Sequence, residues 1–204
     1  MSSHNPSDST NHGDLYDKSY FDVRAHDFKR KAMYSQEFDR IKSKTGLDGG
    51  DVLDIGCGLG EFLDHFPPPK WNRYGIEVSQ YAVDICQKKG ISFNLSQQPE
   101  IFDLIVLRGT LQHLDQPLDT LKMCYRWLRP GGWVCVLATP NAGGPVYRLF
   151  QDLPALDPPR NFIVFSDKIL NQCLSNLGFR NISLVYPYWS TPYTAEKVFK
   201  SFLL

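Results

Sequence analysis

The loop Gly56-Cys57-Gly58-Leu59-Gly60 places three glycines at alternate positions, between the apolar run of residues 52–55 and a helical pattern. Glycine accepts positive φ angles in a tight turn, and its missing side chain lets a ligand lie against the backbone. The helix that follows offers free N–H groups and a positive dipole end to a carboxylate or phosphate. We therefore predict a ligand-binding loop at the carboxyl end of the first strand of an α/β sheet.

Two carboxylates accompany this loop. Asp54 lies two residues before the first glycine, and Glu77 closes the second predicted strand. Doubly wound folds place an acid at the second of these positions, on the ribose hydroxyls of a bound nucleoside. Two carboxylates suit a nucleoside that is itself positively charged. A plainer interpretation stays open, in which the glycines only form a tight turn and Glu77 is a solvated strand end.

The spacing of the glycines argues against a nicotinamide dinucleotide. That ligand is bound by the pattern G-x-G-x-x-G, and here Glu61 occupies the position of the third glycine. A negative side chain beside a pyrophosphate is also electrostatically unfavourable. An NAD(P)-dependent oxidoreductase is therefore the less favoured alternative.

Two basic residues follow the fourth predicted strand, on the side where a second substrate would bind. Histidine is the side chain whose usual titration range includes neutral pH, so His113 is the candidate general base. It could equally be a histidine at a helix start that bonds only to the backbone. Arg108 could pair with an acidic substrate or with a surface carboxylate.

Short apolar runs alternate with helical segments from residue 51 onward, which is typical of a parallel sheet with crossover helices. The predicted strands cover residues 52–55, 74–78, 91–95, 102–107, 133–138 and 182–185. The predicted helices cover residues 61–66, 80–89, 118–128 and 166–177. The fold class is therefore α/β, a doubly wound, mostly parallel sheet with helices on both faces.

The amino-acid composition limits the classes of partner that the chain can bind. Lys plus Arg equals Asp plus Glu at 22 each, so no overall field favours a nucleic acid or an anionic membrane. The apolar runs are too short to cross a membrane. The five cysteines are widely spaced, with no C-x-x-C pair, so we predict no metal site and a reduced, cytoplasmic protein. A small-molecule substrate is the default.

At these residues the chain resembles the S-adenosylmethionine-dependent methyltransferases of the Rossmann-like type, especially the small-molecule group that includes the ubiquinone-type O-methyltransferases. The segments that carry the resemblance are 52–60, 74–79, 102–106 with Leu111-Gln112-His113-Leu114, 128–132 and 138–141. The resemblance implies transfer of a methyl group from S-adenosylmethionine to an oxygen or nitrogen of a small acceptor, which leaves S-adenosylhomocysteine.

The resemblance also implies site residues. Asp54 and the loop residues Gly56 and Gly58 would contact the methionine part of the cofactor, with Cys57 and Gly60 in the same loop. Glu77 would bind the ribose, Val78 would face the adenine, and the backbone at Arg108 would complete the methionine pocket. An aromatic N-terminal element with Tyr20 and Phe21 would close over the cofactor.

The predicted organisation is a disordered tail at residues 1–14 and a methyltransferase domain at 15–204. Within the domain we assign an N-terminal cap helix to 15–46, the cofactor-binding core to 51–140, and a substrate-side loop with C-terminal elements to 141–204. The charges of the cap helix, Glu37 among them, are interpreted as a solvated face.

Three departures from the family pattern stand out. The loop at residues 96–100 is short and lacks the usual Asp-Ala step near the adenine, and Asn161 replaces a frequent histidine. After residue 185, Pro187 and Pro192 interrupt strand pairing, and residues 194–204 form an amphipathic pattern. We therefore expect a six-stranded or partly open sheet without the final antiparallel strand, and association, as a homodimer, through its C-terminal edge. A catalytically inactive nucleoside-binding domain, or a fragment that needs a partner, remain alternatives.

Overall fold

Four parallel strands form the sheet of the computed structural model, which describes residues 16–22, 28–95, 100–150 and 161–186. β1 (Gly50–Ile55) lies between β2 (Trp71–Ile76) and β3 (Phe102–Arg108), and β4 (Leu128–Leu137) pairs with the other side of β3. The order β2-β1-β3-β4 changes direction between β1 and β3. Ligands of doubly wound sheets bind at the carboxyl ends of the strands at such a point.

The described part of the chain contains helices before, between and after the strands. They are α1 (Lys18–Asp22), α2 (Phe28–Thr45), α3 (Gln80–Lys88), α4 (Pro117–Trp127), α5 (Pro145–Phe150) and α6 (Asp167–Asn176). Short 3-10 turns at Leu63–His65 and Leu111–His113 follow β1 and β3.

The side chains of β1 alternate between two apolar layers, because successive residues of a strand point to opposite faces. Val52 belongs to the cluster that contains Tyr34 of α2 and Cys86 of α3. Leu53 belongs to the cluster on the other face, which contains Leu121 of α4 and also takes in α6. Helices therefore cover both faces of the sheet, and the predicted doubly wound α/β fold is confirmed.

Residues next to α6 determine where this helix begins and ends. The Ser166 hydroxyl oxygen accepts a hydrogen bond from the Ile169 amide at 3.3 Å, which satisfies one of the free donors of the first turn. Gly178 follows the helix with a φ of +104°, a conformation that side chains rarely adopt. Both signals were predicted from the sequence.

An ionic network ties the amino ends of three strands together, away from the site. The Arg129 guanidinium of β4 donates to Asp51 of β1 at 2.9 Å and to Asp103 of β3. The Asp103 carboxylate also accepts from the Asp51 amide at 2.8 Å. The network joins strands that are distant in the sequence.

Two predicted strands do not form within the described residues. Residues 91–95 make only one bridge to the sheet, between Ser92 and Tyr74. The Asn94 amide donates to the Ser92 hydroxyl at 3.2 Å, and this local bond competes with a ladder. Residues 182–185 do not pair with the sheet, and the Tyr186 hydroxyl bonds to Asp167 at the start of α6 instead.

Two other strands have different bounds from those predicted. β2 begins at Trp71 and ends at Ile76 rather than covering 74–78, because the amides of residues 78 and 79 bond to a side chain instead of the sheet. β4 begins at Leu128 and includes the predicted turn at 130–132. There the register shifts between Phe102 and Leu104, and Gly131 takes a φ of +84° in the irregular segment.

Several predictions fall outside the described residues. These are the disordered tail at 1–14, the contribution of residues 96–99 to the adenine loop, and the amphipathic pattern at 194–204. Among the helices that are described, none combines the length and apolar character that a membrane crossing requires.

Candidate active site

The glycine loop turns tightly at the carboxyl end of β1. The amides of Gly56 and Cys57 both donate to the Ile76 carbonyl oxygen, at 2.8 and 3.2 Å. Gly56 has a φ of +75°, and a Cβ there would lie 2.5 Å from the Thr110 hydroxyl, so only glycine fits. Gly58 has a φ of +53° and faces open space except for Phe21, 3.5 Å from the position of a Cβ. The backbone at Gly58 is therefore open to a ligand.

The Glu77 carboxylate connects this loop to the start of α3. Its Oε2 accepts from the Gly58 amide at 2.8 Å, and its Oε1 accepts from the amides of Val78 and Ser79 at 2.8 and 3.0 Å. An ionised carboxylate has about four acceptor positions, so these three bonds leave room for a further donor. The neighbouring Val78 side chain is 62% exposed, the largest value among the exposed large apolar residues.

The Asp54 carboxyl is buried under the loop. The residue is 2% exposed, and its Oδ1 has no hydrogen-bond donor within reach among the described residues. Burial raises the pKa of Asp54 to about 8; the positive charge of Arg108 lowers it and the negative charge of Glu77 raises it further. At neutral pH this acid is mostly uncharged, and a cation at Oδ1 would favour its ionised form.

Arg108 at the end of β3 pairs with a helix rather than facing a substrate. Its Nε lies 2.6 Å from Glu37 Oε2, and both side chains are largely buried, at 8% and 14% exposed. The guanidinium also lies over the Tyr34 ring, 4.3 Å from its centre. The expected carboxylate partner exists, but it belongs to α2.

Glu37 was interpreted from the sequence as part of a solvated face, and this interpretation is wrong. Tyr34, Glu37 and Ile41 share one side of α2 at the spacing i, i+3, i+7. Tyr34 and Ile41 are buried, so the acid between them turns towards the protein. The helical spacing of Tyr34 and Ile41 could have shown that Glu37 faces the protein, but it could not identify Arg108 as the partner.

Cys57 lies in the loop but packs behind it. A Cβ at Gly75 would meet its sulfur at 2.8 Å, which shows that the side chain is directed towards β2. The neighbouring Cys86 thiol donates to the Gly58 carbonyl oxygen at 3.2 Å. A hydrogen bond with Cys86 and burial raise the pKa of the Cys57 thiol, so it stays protonated. Any contact of Cys57 with a ligand would be through its backbone.

The aromatic N-terminal element lies beside the loop. Phe21 in α1 is 7% exposed, and its ring packs against Tyr20 at 5.1 Å and Tyr81 at 6.2 Å between ring centres. Together with its approach to Gly58, these contacts bring α1 over the glycine loop.

His113 lies in the 3-10 turn that follows β3. The His113 amide donates to the Thr110 carbonyl oxygen at 2.8 Å. The adjacent Gln112 is buried, and its backbone oxygen accepts from the Phe162 amide at 2.9 Å. Phe162 and Ile163 leave apolar side chains 49% and 40% exposed on this loop. Gln112 was not among the predicted site residues, because a glutamine between Leu111 and His113 gave no separate signal.

The arrangement defines a class of protein: a Rossmann-like α/β domain with a glycine loop after β1 and an acid after β2. The family model described as a methyltransferase domain matches residues 25–184. The chain belongs to this methyltransferase domain family, and the resemblance to S-adenosylmethionine-dependent methyltransferases is confirmed.

Relatives and solved structures agree with this assignment. The ubiquinone biosynthesis O-methyltransferase of Nitrosospira multiformis is 27% identical over 107 residues, covering 46% of this chain and 45% of that protein. The chain thus spans about half the length of the curated relatives it matches.

Two solved structures share the fold. A SAM-dependent methyltransferase from Thermotoga maritima has a TM-score of 0.63 at 23% identity, covering 83% of this chain and 81% of that one. An N-methyltransferase from Haemonchus contortus, in complex with phosphomonomethylethanolamine and S-adenosylhomocysteine, has a TM-score of 0.57 at 17% identity. It covers 82% of this chain and 44% of that one.

Proposed function

We propose that this chain binds S-adenosylmethionine and transfers its methyl group to an oxygen or nitrogen of a small-molecule acceptor. The observation that carries the proposal is the buried carboxyl of Asp54, whose Oδ1 lacks a donor beneath a loop that is open at Gly58. Buried polar atoms are normally paired. A ligand that brings a positively charged donor would satisfy this atom, and the ammonium group of the cofactor's methionine part has that chemistry.

The residues on the nucleoside side fit the same ligand. Three hydrogen bonds from backbone amides hold the Glu77 carboxylate in place. Its remaining acceptor position is therefore fixed, and ribose hydroxyl groups could donate to it. Val78 beside it exposes an apolar side chain that an adenine ring would cover. Gly56, Gly60 and the backbones of Cys57 and Arg108 would complete the wall around the methionine part.

When bound, S-adenosylmethionine supplies a methyl carbon that its sulfonium already activates towards a nucleophile. The protein must therefore align the nucleophile with this carbon and exclude water. Phe21 over the loop would exclude water on the cofactor side. On the acceptor side, His113 would contact the nucleophile, while the exposed Phe162 and Ile163 suit an acceptor with an apolar part.

Residues 15–204 are proposed to act as one methyltransferase domain in the cytoplasm. The five cysteines are free thiols, which is the state that the cytosol maintains. A homodimer through the C-terminal edge of the sheet is also proposed, because no described strand pairs with the outer side of β4. Light scattering on the purified chain measures its oligomeric state, and a monomer at all concentrations would contradict this dimer.

Titration calorimetry with S-adenosylhomocysteine and with NADH tests the cofactor. We expect the first ligand to bind and the second not to bind. Gly58→Val should abolish binding because a branched side chain would fill the open side of the loop, whereas Gly131→Ala, in the irregular segment of β4, should preserve it. Failure of S-adenosylhomocysteine and S-adenosylmethionine to bind the intact chain would refute the proposal. Consumption of the methyl donor with a panel of acceptors then distinguishes an enzyme from an inactive binding domain.

A further inference from the structure

Gln112 is the buried neighbour of His113 and is held at its backbone and its side chain. The residue is 4% exposed and lies in the 3-10 turn after β3. Its carbonyl oxygen accepts from the Phe162 amide at 2.9 Å. Its side-chain Nε2 donates to the Gly109 carbonyl oxygen at 3.1 Å. Movement of the Gln112 side chain would therefore break its hydrogen bond to Gly109.

The bond to Gly109 determines which way the amide group faces. A carbonyl oxygen only accepts hydrogen bonds, so the NH₂ end of Gln112 must face it. Rotating the amide by half a turn would place two acceptor oxygens about 3.1 Å apart. The orientation of the Gln112 amide is thus fixed by a neighbouring backbone atom.

This orientation has a consequence for His113. The Nε2 of Gln112 lies 3.3 Å from the Nε2 of His113. An amide nitrogen donates and does not accept, so the histidine Nε2 must be the acceptor in this contact. A neutral imidazole that accepts at Nε2 has its proton on Nδ1. Protonation at Nε2 would bring two N–H groups face to face.

The oxygen end of the Gln112 amide makes no hydrogen bond that would stabilise the described part of the fold. No donor among the described residues reaches Gln112 Oε1, which is buried from solvent. An unpaired buried acceptor is unfavourable, and an apolar side chain of similar size would avoid it. The bond to Gly109 accounts for the nitrogen end of the amide, but no contact within the described residues accounts for its oxygen end, and the nitrogen end also faces His113.

We propose that Gln112 is a positioning residue, which holds His113 as the neutral tautomer with its proton on Nδ1. His113 then orients a methyl acceptor through one defined donor instead of removing a proton through Nε2. The assignment of the tautomer is independent of the proposed methyl transfer, whereas the orienting role rests on it.

Nitrogen-15 NMR of the chain without added ligand tests the tautomer, with the His113 signals identified by their loss in His113→Gln. We expect Nδ1 to carry the proton in the wild type, and the Nε2-protonated form to appear in Gln112→Leu. Gln112→Glu, whose carboxylate accepts from Nε2–H, should show the same change and serves if the leucine variant does not fold. Gln116→Leu, at an exposed glutamine four residues away, should leave the signals unchanged. The proposal would be overturned by a proton on His113 Nε2 in the wild type. It would also be overturned if the spectra of Gln112→Leu and Gln112→Glu were both identical to that of the wild type.

Steady-state kinetics with an accepted methyl acceptor test the orienting role. Gln112→Leu should lower kcat by about fivefold or more, the effect of one misaligned hydrogen bond. Its dissociation constant for S-adenosylhomocysteine should stay within about twofold of the wild type. If His113 were a base acting through Nε2, the variant would keep or exceed the wild-type rate, and the orienting role would be excluded. A wild-type chain that does not bind S-adenosylhomocysteine would count against the proposed function only, since the NMR result needs no ligand.

Discussion

Binding of a cationic ligand above Asp54 should release a proton. Burial raises the pKa of Asp54 to about 8, so at pH 7 most molecules carry the proton on this carboxyl. The ammonium group of S-adenosylhomocysteine should favour the ionised carboxylate. We therefore expect the release of up to about one proton per bound ligand at pH 7. The association constant should rise about tenfold between pH 6 and pH 7, where the ligand's own charges do not change.

Calorimetry in buffers with different ionisation enthalpies measures this proton release directly. Asp54→Asn keeps the shape of the side chain and removes its titration, so its association constant should not depend on pH in this range. The ligand 5′-methylthioadenosine, which lacks the amino-acid part, is the matched control and should bind the wild type without proton release. Equal enthalpies in all buffers and a flat pH profile for the wild type would refute the assigned role of Asp54.

The same pKa predicts how the stability of the ligand-free protein depends on pH. Well below pH 3.8, Asp54 is protonated in both the folded and the unfolded chain. As the pH rises from the unfolded value of 3.8 to the folded value of about 8, only the unfolded chain loses the proton, so stability falls and then levels off. Relative to Asp54→Asn, the wild type should lose roughly 3 to 4 kcal/mol between pH 5 and pH 8. Urea unfolding of both proteins at pH 5 and pH 8 measures the difference, and parallel changes would contradict it.

Three further variants test the site and its surroundings. Glu77→Ala removes three charge-assisted hydrogen bonds, so it should weaken S-adenosylhomocysteine binding about tenfold to a hundredfold and speed hydrogen exchange at the loop amides. Glu77→Gln should have an intermediate effect. Unchanged affinity would show that this acid is not part of the site. Glu37→Gln breaks a buried ion pair and should cost about 3 kcal/mol in urea unfolding, whereas the exposed control Asp48→Asn should change little. Equal effects of those two substitutions would contradict the argument from burial. His113→Ala should lower turnover by about tenfold or more with nearly unchanged cofactor affinity, and an unchanged rate on a verified acceptor would leave it a structural residue.

The sequence predicted the elements whose signals are local. The apolar run of β3, the glycine loop after β1 and the serine cap of α6 all lie where their own residues indicated. Each depends on neighbours within a few positions. The fold class followed from them, because alternating strands and helices allow few other arrangements.

Features that depend on individual hydrogen bonds and on packing were not predictable in the same way. The segment 91–95 has strand-forming residues, but a hydrogen bond between Ser92 and Asn94 takes an amide that a strand would have used. Glu37 bonds to a residue 71 positions away, and a count of charges along α2 cannot show that. The unpaired oxygens of Asp54 and Gln112 are visible only once the chain packs around them.

Glu77 has a consequence for how related sequences are interpreted. Its carboxylate accepts hydrogen bonds from the amides of Gly58, Val78 and Ser79, so the residue stabilises the fold in addition to any part it takes in a reaction. A descendant that lost catalysis would still be under selection to keep this acid, since its loss would loosen two loops at once. An acid at the end of β2 is therefore poor proof of activity in a distant homologue. Retention of a buried acid at the position of Asp54, whose Oδ1 has no donor among the described residues and whose burial lowers stability, is the more informative character.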